Sequence, residues 1–289
     1  MALRGSGNNP TRFHKSQIKL YLFLIPFAFF MILPIVFIIN HAFKPLDELY
    51  AFPPRFLVEK PTLENFDNLF KLANASGIPL SRYVINSLIV TLAVVFLSIV
   101  ISTMAGFVLS KKNFRGKVAI FEINNAALMF VPIAVMIPRF LTISFLGIDD
   151  TFFAHILPLL AMPVGLFLIK QFIDQIPDSL IEAAIIDGAS DFKVYLKVIL
   201  PLIKPAIATA AILAFQLVWN DVETSTLFTT SENMRTLAFF MNTLATDTNV
   251  VVGQGMAAVA SLIMFAPNLI LFILLQSMVM NTMSHSGLK

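Results

Sequence analysis

Hydrophobic positions in this 289-residue chain do not recur at the spacing of an amphipathic helix or alternate as in a half-buried strand; they run on without interruption. Residues 20–43, 83–110, 151–169 and 248–288 contain no Asp, Glu, Lys or Arg. Each run is long enough to cross a bilayer as a helix, which takes about 20 residues. Two further stretches are less clean. Residues 118–138 enclose Glu122, and residues 205–220 are short but are extended backwards by the apolar 198–203. The pattern predicts six spans. A transmembrane barrel would need ten-residue segments alternating apolar and polar, and these runs are apolar all round. The expected fold is an all-α integral membrane protein. Its plan is a tail over 1–19, a six-span domain over 20–281 and a tail over 282–289.

Composition agrees: 57% of residues are hydrophobic and 13% charged, with 29 Phe and 13 Met, where soluble domains carry about a quarter charged residues. The first apolar run is longer than a signal-peptide core and lacks a small-x-small cleavage site, so it is expected to stay as a span. The chain has no Cys, which excludes disulfides, thiol chemistry and Cys-based metal sites. His14, His41, His155 and His285 show no ligand spacing, and no metal is expected. Pro26 and Pro34, Pro132 and Pro138, and Pro158 and Pro163 are expected to kink their helices.

Basic residues set the orientation. Arg4, Arg12, Lys15 and Lys19, then Lys111, Lys112, Arg115 and Lys117, then Lys170, Lys193, Lys197 and Lys204, and finally Lys289 fall on one side. These are 13 of the 20 basic residues, accompanied there by five acids. That side is expected to be cytoplasmic, with both termini on it. The net charge of +3 is then a topology signal, and no nucleic-acid partner is implied. The long segment 44–82 lies on the other side and should hold a short helix over 63–72.

Between the fourth and fifth spans stands EAAIIDGASDFKVYLKVILPLIKP, residues 182–205. Pro177 and Asp178 suit a helix start, so a helix is expected over 177–187, ended by Gly188. Ser190 is the expected N-cap of a second helix from Asp191. In it Phe192, Tyr195, Leu196 and Ile199 form one apolar stripe opposite Lys193 and Lys197. Two readings follow. A basic amphipathic helix commonly rests on anionic lipid headgroups. The first helix favours a protein partner instead, because Ala183, Ala184, Gly188 and Ala189 make a small-residue surface flanked by Glu182 and Asp187.

This segment resembles the EAA loop of permease subunits of ABC importers, with Glu182, Ala183, Ala184, Asp187, Gly188, Ala189 and Pro201 matching its pattern. PTLENF (61–66), NSLIV (86–90), FVLSKKNFRGK (107–117), LGIDDT (146–151), VWND (218–221) and MRTL (234–237) are similar to the carbohydrate-uptake branch, the second permease of maltose-type importers. The resemblance implies that the loop over 171–205 couples to a cytoplasmic ABC ATPase dimer through these residues and Phe192. It also implies a second six-span permease and an extracytoplasmic solute-binding protein. The substrate would be a sugar, in that branch an oligosaccharide, moved across a bacterial or archaeal cytoplasmic membrane.

The residues agree on one point independently. Gly116-Lys117 is followed by Val118 and has no upstream glycine, so the chain carries no phosphate-binding loop. ATP and Mg would be used by the partner ATPase; the chain itself is expected to bind no cofactor and to be no enzyme.

Polar residues inside spans are costly in lipid and tend to be functional. Glu122 lies near an interface and can snorkel to it. Asn124 and Asn125 suit either interhelical hydrogen bonds or a substrate pathway. Gln216, Trp219, Asn220 and Asp221 close the fifth span. Trp219 is read either as an interfacial anchor or, with the amides and carboxylate, as a flat face and acceptors for a sugar. Arg139 and Arg235 are read as loop anchors or binding-protein contacts, and residues 284–289 as a frayed end or an ATPase contact. A stand-alone secondary transporter or channel acting as a homodimer is the rival reading. It would need membrane-embedded acids or bases, and apart from Glu122 there are almost none.

Overall fold

The computed structural model describes residues 17–75, 77–246 and 250–286, and every regular element among them is helical. In chain order these are α1 (Ile18–Phe43), α2 (Leu46–Leu49), α3 (Glu64–Ala75), α4 (Leu80–Lys111), α5 (Lys117–Ala127), α6 (Pro132–Leu146), α7 (Phe152–Leu160) and α8 (Pro163–Asp174). There follow α9 (Asp178–Ile186), α10 (Asp191–Val194), a π-helical turn (Tyr195–Ile199), α11 (Leu200–Leu202), α12 (Lys204–Trp219), α13 (Glu223–Phe228), a 3₁₀ turn (Glu232–Met234), α14 (Leu237–Thr246) and α15 (Val250–Ser286). Arg4, Arg12, Lys15 and Lys289 lie outside the described residues.

Three helices are individually long and apolar enough to cross a membrane: α1, α4 and the 253–278 part of α15. No single helix fills the other three expected spans; three bent pairs of helices stand in their place, two of them broken at the prolines expected to kink. The pair α5 and α6 bends by 112°, the pair α7 and α8 by 41°, and α12 meets the helical segment 191–202 at 79°. Proline explains each break. A proline donates no N–H and biases the residue before it away from the helical region. Accordingly Pro132 and Pro163 open new helices, with Val131 and Met162 in non-helical conformations before them. Pro205 sits in the first turn of α12, and residues 198–202 lie on the other side of the bend, in the helical segment that precedes it. Pro26, Pro34, Pro138 and Pro158 lie inside helices.

The chain divides into two compact units, one from residues 1–69 and 248–262, the other from 70–247 and 263–289. In the first, Asn65 of α3 donates to the carbonyls of Ala42 and Lys44 at 3.1 and 2.7 Å. Gly255 packs on it so closely that a Cβ there would meet Asn65 Oδ1 at 2.3 Å. The expected helix over 63–72 is α3, which runs three residues further.

In the second unit α4 is the helix on which α7, α8, α12 and α14 pack. Its buried face carries Asn86, Ser87, Thr91, Ser98, Ser102 and Thr103. Small polar residues of this kind let helices approach closely where lipid offers no hydrophobic drive. Gly106 marks the tightest approach to α8: a Cβ there would lie 3.1 Å from Ile169. At the other end, the 229–237 turn is tied down by Asn86, which donates to the carbonyls of Asn233 and Arg235 at 2.8 and 2.9 Å, and by Asp150, which accepts from the backbone N–H groups of Thr230 and Ser231 at 3.0 and 2.8 Å.

Candidate functional site

Residues 177–202 fold as two short helices joined at Gly188. Pro177 takes a non-helical conformation as the N-cap of α9, so the helix opens at Asp178, one residue after the expected start. The helix ends in a Schellman motif. Gly188 adopts φ +79°, its N–H reaches the Ile185 carbonyl at 2.9 Å, and the Ala189 N–H reaches back to the Ala184 carbonyl, also at 2.9 Å. A side chain is strained at that φ, which is why glycine stands there. Ser190 then caps α10, its Oγ accepting from the Lys193 N–H at 3.4 Å.

The second helix departs from the expected single stripe. A π-helical turn over Tyr195–Ile199 shifts the register, so Val194, Tyr195 and Ile199 face inward while Phe192 and Leu196 stay exposed. The inward set joins Phe107 of α4, Ile169 and Ile173 of α8, Ile181 of α9 and Ala206 of α12 in one core. Tyr195 and Thr103 share a buried hydrogen bond of 2.8 Å. Half of the expected stripe, Tyr195 and Ile199, is therefore spent inside the protein, and the other half, Phe192 and Leu196, is left outside.

The outward surface is a different set. Ile181 is the one buried residue of α9. Glu182, Ala183, Asp187, Gly188, Phe192 and Pro201 are exposed, and Ala184 and Ala189 are half-buried against the core. Ile186 is 85% exposed and Phe192 61%, with Leu180 and Ile185 beside them. Leu180, Ile185, Ile186 and Phe192 thus leave apolar surface on this element uncovered. Ile185 and Ile186 escaped sequence reasoning because an apolar pair in an apolar chain gives no contrast.

Consecutive lysines at the end of α4 hold this element. Lys111 Nζ lies 2.7 Å from Asp178 Oδ1 and 2.5 Å from the Ile176 carbonyl, and Lys112 Nζ lies 2.6 Å from Asp191 Oδ1. Asp174 accepts from Ser110 at 2.6 Å and pairs with Lys170 at 2.6 Å.

The candidate pathway residues are not brought together as one cluster. Asn124 donates to the Pro163 carbonyl at 3.2 Å, an interhelical bond from α5 to α8. Asn125 Oδ1 is buried with no hydrogen-bond partner among the described residues. Glu122 is exposed. Trp219 is 4% exposed, donates from Nε1 to the Met264 carbonyl at 3.1 Å and stacks on Phe215 at 5.5 Å. Gln216 and Asn220 are exposed, the Asn220 amide donating to the Gln216 carbonyl at 2.8 Å. Asp221 lies just beyond α12; burial pushes its carboxyl above the usual range, against the pull of Thr224. Arg139 pairs with Glu223 at 3.2 Å, and Arg235 pairs with Glu232 and sits 4.4 Å over the Phe239 ring.

The two-helix element with its glycine turn, set between bent helical pairs, coincides with a known family. The model of the binding-protein-dependent transport system inner membrane component matches residues 98–279. The chain belongs to this family. The match takes in the second half of α4, the whole 177–202 element and α15 as far as residue 279. Members of this family are permease subunits of transporters, so the chain is a multi-pass membrane transport component. Among similar proteins, the inner membrane ABC transporter permease YcjP of Escherichia coli is 27% identical, over 95% of this chain and 97% of its own. The probable ABC transporter permease YurM of Bacillus subtilis is 30% identical over 93% and 86%. The arabinooligosaccharide transport permease AraQ of Halalkalibacterium halodurans is 28% identical over 95% and 98%. A solved bacterial ABC transporter that imports the acidic polysaccharide alginate has the same fold as this family member, with a TM-score of 0.78 at 21% identity over 93% of this chain and 99% of that one.

Proposed function

We propose that this chain is the permease subunit of an ATP-driven importer that carries an oligosaccharide across the cytoplasmic membrane. The α5–α6 and α7–α8 pairs each count as one span, and α12, extended back across its bend through the apolar 198–203, counts as another, giving six with α1, α4 and α15. The termini and the loop over 171–205 face the cytoplasm, as the distribution of basic residues requires. The loop docks on a cytoplasmic ABC ATPase dimer, which binds ATP and Mg. A second six-span permease completes the pathway, and an extracytoplasmic solute-binding protein delivers the sugar. Relatives named for arabinooligosaccharide and diacetylchitobiose transport support the substrate class, and a solved relative of the same fold in complex with its periplasmic protein supports the delivery partner.

The observation that carries this reading is the surface of α9 and α10. Val194, Tyr195 and Ile199 are buried, yet Ile185, Ile186 and Phe192 remain outside, on the segment that carries Glu182, Ala183, Asp187 and Gly188. Such a face fits a protein groove better than lipid headgroups. Closure of the ATPases on ATP would move it and so open the pathway to the other side. Gln216, Asn220, Asp221 and Asn125 are proposed to line that pathway; Asn124 and Trp219, held by carbonyls on α8 and α15, position them.

The test is to co-express the chain with its neighbouring permease, ATPase and binding protein and compare it with Gly188→Pro. Hydrolysis stimulated by the binding protein, and lost with assembly in the variant, is expected. A chain that purifies alone and transports without ATP would overturn the reading in favour of a secondary transporter.

A further inference from the structure

The exposed acids that open α9 and α10 are held by two adjacent side chains. Asp178 is the first residue of α9 and Asp191 the first of α10; Lys111 takes the one at 2.7 Å and Lys112 the other at 2.6 Å. Acids at these positions already complement their helix N-termini. A lysine pairing with each fixes where that N-terminus sits relative to α4. Lys111 does more. Its side chain is only 7% exposed, and its ammonium also takes the carbonyl of Ile176, so it spans the joint between α8 and α9.

Stability is a poor explanation for this arrangement. Partly exposed ion pairs are individually weak, and the element is already anchored through Ile181, Val194, Tyr195 and Ile199. Orientation is a better one. The two ammonium groups leave the last residue of α4 and the residue that caps it and grip two different helices, while the bond between Tyr195 and Thr103 supplies a third point of attachment to α4. Three points fix a body where one would let it pivot.

We propose that Lys111 and Lys112 are positioning residues for energy coupling: a two-pronged clamp through which movement of α9 and α10 is passed to α4. The proposal rests on the importer reading above. The clamp acts on the helix to which α7, α8, α12 and α14 are packed, so what the loop does at one end reaches the whole unit.

The test uses the full complex, reconstituted with its binding protein loaded from a mixed starch and hemicellulose hydrolysate. It compares ATP hydrolysis with and without that protein. Lys111→Met with Lys112→Met is expected to assemble with the ATPase and to hydrolyse ATP, but stimulation by the binding protein falls about fivefold or more, the size of an ordinary coupling between sites. Lys111→Arg with Lys112→Arg, which keeps both cations, retains most of the stimulation. An assembled double variant with native stimulation overturns the clamp and leaves the importer reading intact, whereas a native complex with no stimulation at all overturns the importer reading first. If the double variant fails to assemble, Asp178→Asn with Asp191→Asn decides, since it leaves the lysines in place and removes only the charges they grip: lowered stimulation in the assembled complex supports the clamp, and native stimulation overturns it.

Discussion

The phenol of Tyr195 and the hydroxyl of Thr103 lie 2.8 Å apart in a fully buried contact that ties the π-helical turn to α4. Thr103 also bonds to the carbonyl of Ile99 at 2.8 Å, so removing the phenol leaves no orphaned hydroxyl. Tyr195→Phe is therefore expected to cost about 0.5–1.5 kcal/mol. Tyr195→Ala, which also empties the space beside Phe107, should cost about 3–5 kcal/mol. Thermal unfolding of the purified complex measures both.

Gly188 has nothing within 4 Å of where a Cβ would stand, and its φ is +79°. Substitution there is strained without being crowded. Gly188→Ala should cost roughly 1–2 kcal/mol, Gly188→Asn less, and Gly188→Val more. A ranking by side-chain volume instead of by tolerance of the left-handed region, read from unfolding midpoints, would contradict this.

Gly255 presents the opposite case, crowding at a fixed neighbour. A Cβ would lie 2.3 Å from Oδ1 and 2.6 Å from Cγ of Asn65, whose amide is already committed to Ala42 and Lys44. Gly255→Ala is expected to destabilise by about 1–3 kcal/mol. Combining it with Asn65→Ala should cost less than the two separate losses, which a double-mutant cycle on unfolding would reveal.

Hydrogen bonds from the Ser231 hydroxyl and backbone, with further help from Thr230, hold the Asp150 carboxyl below its ordinary value of 3.8. The folded state therefore releases its proton more readily than the unfolded one. This contribution to stability is complete above the ordinary value and is lost as pH falls through the lowered one. Asp150→Asn should flatten the acid end of a plot of melting temperature against pH and leave the neutral region little changed in slope.

Ile186 projects from α9 with almost nothing from its own chain covering it. Ile186→Asp should leave the monomer's stability unchanged and weaken association with the ATPase by about tenfold or more, since apolar anchors at interface centres carry most of the affinity. Pull-down of the ATPase at graded concentrations separates this from a folding defect.

The helical membrane architecture, the glycine turn and the Ser190 cap were legible in sequence because each depends on local chemistry. Gly188 and Pro177 act on their own backbone, and uninterrupted apolar runs have few other uses. The places of the bends were legible, and their angles were not. Pro132, Pro163 and Pro205 marked the places, but the angle at each depends on what the two halves pack against. The stripe on α10 was misread for a related reason: a helix of ordinary pitch was assumed, and a π-helical turn carries Leu196 out and Val194 in. The lysine pairs joined residues more than 60 positions apart, a relation that no local pattern encodes.

The bend between residues 191–202 and α12 has a mechanical result. At 79° the two axes are nearly perpendicular, so little of any thrust along the loop travels down α12. Nearly all of it acts crosswise, as a wrench acts on a bolt. If the fifth span responds to its loop, it turns or tilts in place; a piston stroke along its axis is the motion this joint transmits least.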